Sequence, residues 1–274
     1  MVIKNPVLGA IIGDMIGVPY EFLRYGVAIG PNFPLWCKDS TFSDDSVMTF
    51  AVAKWLMEST ESYNIHHLVE CMQELGRKYR NRGYGSNFGA WLDSDDPQPY
   101  NSWGNGSAMR VSPCACVAEN EHQVLEIAKR SAIVSHNHPE GIKGAQALAL
   151  FIWEMHNGAS KSAAKIKVNS LFPDYDLNRT PQQIMDNGYK FEVSCQKSVP
   201  EAICCYLNSD SYEETIRKAI LLRGDTDTQA CMAGAIAAAD WGIPDSIVAD
   251  AMDRLPAYLL NILEEFSVKY CLPL

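Results

Sequence analysis

The sequence has no run approaching the roughly 18 apolar residues that suggest a membrane-spanning helix. Its most apolar stretches, such as residues 145–153, are short and flanked by Lys143 and Glu154. The N-terminus reads Met-Val-Ile-Lys-Asn-Pro, without the apolar region and cleavage site of a signal peptide, so a cytoplasmic location is expected. Positive charge is scarce. Lys and Arg number 23 against 33 Asp and Glu, a formal net charge of −10. No direct nucleic-acid binding is expected from so acidic a chain, and no attraction to anionic membranes. If the substrate is itself an anion, positive charge must be supplied locally, and a bound cation would do so. Cysteine occurs nine times, an odd count, and never as C-x-x-C. A zinc site or a disulfide framework therefore has little support, and the thiols read as reduced core residues. Repeats, low-complexity tracts and long linkers are also missing.

What is present is an ordinary globular composition, 274 residues with 47% hydrophobic and 20% charged. Helical periodicity dominates. It predicts helices over 7–18, 45–59, 65–79, 107–119, 121–134, 141–156, 201–207, 212–222, 226–240 and 255–268. The one strand candidate is 190–194. Gly/Pro clusters mark loops at 26–38, 81–87, 93–106 and 178–197, long for a helical protein, and long loops tend to carry function. The expectation is one compact all-α domain over 1–274, acting as a monomer.

Two acidic clusters open helices: Ser43-Asp44-Asp45-Ser46 and Asp225-Thr226-Asp227-Thr228. Helix capping accounts for one Asp in each, since Ser, Thr and Asp are preferred N-caps and carboxylates suit the positive end of the helix dipole. It does not account for two in both. Four carboxylates with several hydroxyls brought together would repel without cations, and such hard oxygen ligands suit Mg²⁺, Mn²⁺ or Ca²⁺. If the two helix starts converge, they form a two-metal centre. The small residues between Ala230 and Ala239 allow the second helix to lie deep in the fold.

Further segments complete a pattern: Gly13-Asp14-Met15-Ile16-Gly17 followed by Glu21, Ser102-Trp103-Gly104-Asn105-Gly106-Ser107-Ala108-Met109-Arg110, and Ser135-His136-Asn137-His138-Pro139. With the two acidic clusters, these five motifs resemble, in order, those of the ADP-ribosylglycohydrolases. The resemblance spans most of the chain. Position 43 and position 46 are Ser where Thr is frequent, and Arg223 stands where a second Gly is common. The resemblance implies the family's compact multi-helix fold, with a central site for two Mg²⁺ (or Mn²⁺) and hydrolysis of an ADP-ribosyl bond. Carried over by position, it implies Ser43, Asp44, Asp45, Asp225, Asp227 and Thr228 as metal ligands and Glu21 as the catalytic carboxylate. It implies Ser102, Trp103, Gly104, Asn105, Gly106 and His136 as substrate-binding residues. The partner would be ADP-ribose or an ADP-ribosylated protein or small molecule.

The chemistry is consistent with these residue types. Cleavage at an anomeric carbon passes through an oxocarbenium-like state. Metal ions can hold vicinal hydroxyls, and a nearby carboxylate can move a proton. Glu21 is expected on a loop after a helix break at Val18-Pro19, acting in catalysis or as an extra ligand. Asp14, inside an apolar segment, either orients a metal ligand or pairs with Arg110; the ion pair is the favoured expectation, with Arg110 bracing the acidic centre. Thr226 is expected to point into the protein and His138 to act structurally. The backbone of 101–110 is expected to cradle a diphosphate, and some of Tyr84, Phe88, Trp91 and Tyr100 to line an adenine pocket. His66, His67, His122 and His156 have no assigned role. Alternatives are a catalytically silent ADP-ribose-binding protein and a hydrolase of another nucleotide-sugar N-glycosidic bond.

Overall fold

The computed structural model describes residues 2–21, 29–59 and 63–274. Its architecture is set by a seam of small residues. Helix α1 (Pro6–Glu21) carries Gly9, Gly13 and Gly17, one per turn on a single face, and lies along α12 (Thr226–Asp240). A Cβ on Gly13 would stand 2.1 Å from the carbonyl oxygen of Ala230, and one on Gly17 would stand 2.4 Å from Cα of Asp227. Gly9 meets Ala238 and the backbone of Gly234 in the same way. The two backbones touch without side chains between them, and both helices are almost entirely buried.

Around this pair pack α2 (Asp44–Glu58), α5 (Ser112–Val117), α7 (Pro139–His156), α10 (Cys195–Leu207) and α11 (Tyr212–Leu221). An outer set comprises α3 (Ile65–Lys78), α4 (Ser86–Asp93), α6 (Glu121–Ile133), α8 (Lys161–Leu171), α9 (Pro181–Asp186), α13 (Asp245–Met252) and α14 (Ala257–Lys269). Many start on the expected chemistry: Asn64, Asn120, Ser160 and Ser211 each accept a first-turn N–H, and Thr180 and Gln183 form a capping box. The buried apolar side chains form one cluster running from Val7 to Leu272.

The all-α expectation holds; among the described residues the only sheet pairs Val2–Ile3 with Ile243–Pro244. Several boundaries differ. Residues 190–194 form no strand of their own, although Gly104 and Ser194 make an isolated antiparallel bridge. The helix expected over 107–119 is a 3₁₀ turn at Asn105–Ser107 followed by α5, because Pro113 supplies no N–H and takes the first turn of a new helix. Helix α1 passes through Pro19 to Glu21 instead of breaking there. Proline removes one ladder bond, and the last turn is held from outside: Tyr20 packs on Phe33 at 4.8 Å and donates its hydroxyl to the Pro34 carbonyl. Part of the loop expected at 26–38 lies outside the described residues.

Candidate active site

The seam brings Asp14, midway along α1, against the N-terminus of α2. The N–H groups of Ser43 (2.9 Å) and Ser46 (3.1 Å) donate to Asp14 Oδ2, which also accepts the Ser46 hydroxyl. The Ser43 hydroxyl donates to Oδ1 at 2.6 Å. With its acceptors filled this way, Asp14 holds the start of α2 in place. The expected ion pair with Arg110 does not form. Arg110 is buried in the cavity wall and donates to the Ser131 carbonyl (2.8 Å) and the Ser135 hydroxyl (3.0 Å), with no ion pair to the acidic centre among the described residues.

The same packing sets the N-terminus of α12 opposite that of α2. Thr226 does turn inward, donating to the Gly17 carbonyl at 3.0 Å. This leaves Asp225, Asp227 and Thr228 facing the α2 residues. Thr228 Oγ1 donates to Asp45 Oδ2 at 3.1 Å, the Thr228 N–H donates to Asp227 Oδ1, and Asn105 donates its amide to Asp225 Oδ2 at 2.6 Å. Two overlapping carboxylate sets result. One atom each from Asp14, Asp45 and Asp227 lie within 4.8 Å of one another, as do atoms from Glu21, Asp225 and Asp227. Asp227 belongs to both. Asp44 lines the cavity beside Gly83, whose φ of 96° only glycine takes easily and where a Cβ would stand 3.2 Å from Asp44 Oδ1.

These residues fit hard cations. The Asp45 Oδ1 atom is buried with no hydrogen-bond partner, and among the described residues none of Asp14, Glu21, Asp44, Asp45, Asp225 and Asp227 forms an ion pair. Burial pushes all of them up, Asp44, Asp45 and Asp227 strongly, and the charge of Asp227 raises Asp44 and Asp45 further. Asp225 is pushed to about 6 and Glu21 to about 8, again chiefly by burial. A buried set of carboxylates with unfilled oxygens is a destabilised arrangement that a divalent cation relieves.

The sign has a thermodynamic consequence. A carboxyl raised in the folded state contributes fully below its unfolded value, near 4, and its contribution is lost as pH rises through the folded value. The metal-free protein is therefore expected to lose stability between about pH 4.5 and 8. Calorimetry with Mg²⁺ and with EDTA should show a Tm gap that widens across this window; a gap that is absent at pH 8 contradicts a cation site here.

Beside the carboxylates opens a cavity of about 460 Å³. His136 is buried in its wall. Ser135 Oγ, which accepts from Arg110, lies 2.8 Å from His136 Nδ1. With Ser135 as the donor in that contact the ring carries its proton on Nε2, which lies against Gly104 and Gly106, where a Cβ would approach to 3.5 and 3.0 Å. Burial and the Arg110 charge push His136 well down, so it stays a neutral donor.

The other expected substrate residues are distributed less uniformly. Ser102, Gly104, Asn105 and Gly106 line the cavity. The Gly104 N–H is engaged by Ser102 Oγ and the Asn105 N–H by the Val193 carbonyl, so the expected backbone cradle is partly filled from within. Trp103 is 53% exposed, packs edge-on to His138 at 5.5 Å and is not part of the cavity wall. His138 caps α7 by accepting the Glu140 N–H, its expected structural role.

Other wall residues carried no assignment: Asn87 from α4 and, beside the Gly104–Asn105 segment, Phe191 and Val193. The last two are apolar, half-exposed and two residues apart in an extended segment, which puts both on one face. That alternation was the available signal, and it reads as a strand when no partner face is known. Of the flagged aromatics, Phe88 and Tyr100 line the cavity, and Trp91 stacks behind Phe88 at 5.2 Å.

A helical core holding a buried carboxylate cluster beside a cavity of nucleotide-fragment size is an arrangement suited to cation-assisted chemistry on a small ligand. The ADP-ribosylglycohydrolase family matches residues 3–270, and the chain belongs to that family. Its curated relatives are named as ADP-ribosyl hydrolases or glycohydrolases, and the chain is an enzyme of the glycosidic-bond hydrolase class. ADP-ribosylhydrolase ARH3 of Danio rerio is 27% identical, with 98% of this chain and 91% of that protein covered. ADP-ribosylarginine hydrolase Tri1 of Pseudomonas putida is 26% identical over 88% of this chain and 70% of its own. The ADP-ribosyl-dinitrogen reductase glycohydrolase of Rhodospirillum rubrum is 23% identical over 87% and 85%. A solved structure described as an ADP-ribosylglycohydrolase-related protein complex shares the fold, with a TM-score of 0.69, 21% identity, and 97% and 95% coverage. Among the described residues no helix is long and apolar enough to cross a membrane.

Proposed function

We propose that the protein removes ADP-ribose from an ADP-ribosylated side chain or small molecule in a Mg²⁺-dependent hydrolysis. The observation that carries this reading is the shared position of Asp227 in two carboxylate sets, with the unpartnered Asp45 oxygen beside it. Asp44, Asp45, Asp225, Asp227, Ser43 and Thr228 would hold two Mg²⁺ (or Mn²⁺), which when bound supply Lewis acidity and the positive charge the acidic chain lacks. Asp14 fixes the α2 donors through its four hydrogen bonds. Asn105 fixes Asp225.

The cavity orients the substrate. His136 offers its Nε2–H to an anionic diphosphate as a neutral donor, and Phe88 and Tyr100 supply aromatic surface for a base. Glu21 ends α1 within reach of Asp225 and Asp227, half-buried, and its carboxyl can accept a proton from water or return one to the leaving group. Phe191 and Val193 form an apolar rim at which acceptors are distinguished. The enzyme would act on an N- or O-glycosidic bond at the anomeric carbon; one relative is named for ADP-ribosylarginine.

The test is release of ADP-ribose from arginine-linked and serine-linked peptides in Mg²⁺. Release from one identifies the acceptor. Binding of ADP-ribose without release from either would instead place the chain among silent ADP-ribose binders.

A further inference from the structure

At the end of α2 remote from the carboxylate cluster, a second group of ligating atoms converges. α2 spans 15 residues, so at 1.5 Å per residue its two ends stand about 20 Å apart. Glu58 closes α2, and His67 and Cys71 lie one turn apart on the facing side of α3. One atom from each lies within 4.8 Å of the others. His67 Nε2 is 2.9 Å from Glu58 Oε2 and 3.7 Å from Cys71 Sγ, and its Nδ1 is 3.1 Å from Glu70 Oε2. Zn–N, Zn–S and Zn–O bonds of about 2.0–2.3 Å give tetrahedral edges of about 3.4–3.6 Å. The observed N···S separation is close to that, and the N···O separation is short of it by about half an ångström.

We propose that Glu58, His67 and Cys71 form a site for Zn²⁺ or a similar borderline-soft divalent ion, tying the C-terminal end of α2 to α3. The ligand set is a thiolate, an imidazole and a carboxylate, a combination that suits zinc and not the hard cations of the acidic cluster. Glu70 occupies the outer position that ligating histidines typically give to a carboxylate, taking Nδ1–H and aiming Nε2 at the ion. In the neutral imidazole Nε2 then faces a carboxylate oxygen as acceptor against acceptor. A proton there would join two of the three groups; a metal ion joins all three. The nearby cation, Lys54, approaches the other Glu58 oxygen at 3.6 Å and is bound more closely by Glu74 at 2.6 Å. Cys71 is buried while Glu58 is exposed, so an ion reaches the site from the Glu58 side. The signal was present in the sequence as His and Cys at i and i+4, but the third ligand comes from another helix.

The test uses the reduced full-length protein in saturating Mg²⁺, with Co²⁺ as the probe. One equivalent of Co²⁺ should produce a thiolate-to-cobalt charge-transfer band and intense tetrahedral d–d bands, both removed by Zn²⁺. Cys71→Ser should abolish the charge-transfer band, and Glu70→Gln should weaken binding about tenfold. Glu58→Gln, at an exposed position where folding is safe, should weaken it at least as much. No charge-transfer band in the wild type, its persistence in Cys71→Ser, or unchanged affinity in Glu58→Gln would overturn the site; the first of these is expected if His67 is simply an imidazolium held between carboxylates.

Discussion

Asp227→Asn is expected to abolish Mg²⁺-dependent ADP-ribose release, lowering kcat on the order of 10³-fold, about 4 kcal/mol of transition-state stabilisation. The size follows from position: Asp227 is the one carboxylate belonging to both sets, so its loss disturbs two cation positions together. The variant should nevertheless fold. Burial and the charges of Asp225 and Asp14 push Asp227 up strongly, so a neutral amide of the same shape relieves repulsion in the metal-free protein. The expected pattern is lost turnover with a metal-free Tm equal to or above that of the wild type. The Tm gain from Mg²⁺ should shrink in parallel. Steady-state kinetics and calorimetry on the same preparation check it, and turnover within a few-fold of wild type would remove Asp227 from the centre.

Gly13→Ala should destabilise the protein, although helix propensity alone predicts a gain of about 1 kcal/mol for the same change. The added methyl would stand 2.1 Å from the Ala230 oxygen and 2.5 Å from its carbonyl carbon. Both are backbone, so no rotamer change relieves the clash, and α12 has to move away from α1. Overpacking of this kind costs about 3 kcal/mol, or roughly 10 °C in Tm for a chain of this size. Since α12 carries Asp225 and Asp227 and α1 carries Asp14, activity should fall with stability. Gly89→Ala in α4 is the contrast. There the nearest atoms, at 3.3 Å, belong to the movable Arg80 guanidinium, and the change should stay within about 1 kcal/mol.

Much of this was legible in the sequence because the chemistry is local. Ser43 and the doubled Asp in each cluster mark both the helix starts and the carboxylate centre, and the small residues of 230–239 announce close packing. What was not legible depended on long-range contacts. Arg110 and Asp14 looked like natural partners as two buried opposite charges, yet the Ser43 and Ser46 donors fill Asp14 and the 131–136 turn takes Arg110. Helices α4, α8, α9 and α13 were missed: all are short, and α8, α9 and α13 are also largely exposed, with few buried residues to set a period. Pro200 obscured the first turn of α10, and Pro19 suggested a break that tertiary packing overrides. The placing of Trp103 outside the cavity wall and of Asn105 on Asp225 likewise depends on where the 190–194 segment crosses.

On the proposed function, the Asp227-centred site cleaves an ADP-ribosyl bond only with divalent cations in place. The most direct measurement is ADP-ribose release by chelator-stripped protein as Mg²⁺ is titrated back, using the better of the arginine-linked and serine-linked substrates. No release without metal, and a rate that rises with more than first-order dependence on Mg²⁺ before saturating, is the predicted result. Equal turnover in EDTA and in Mg²⁺ would contradict it.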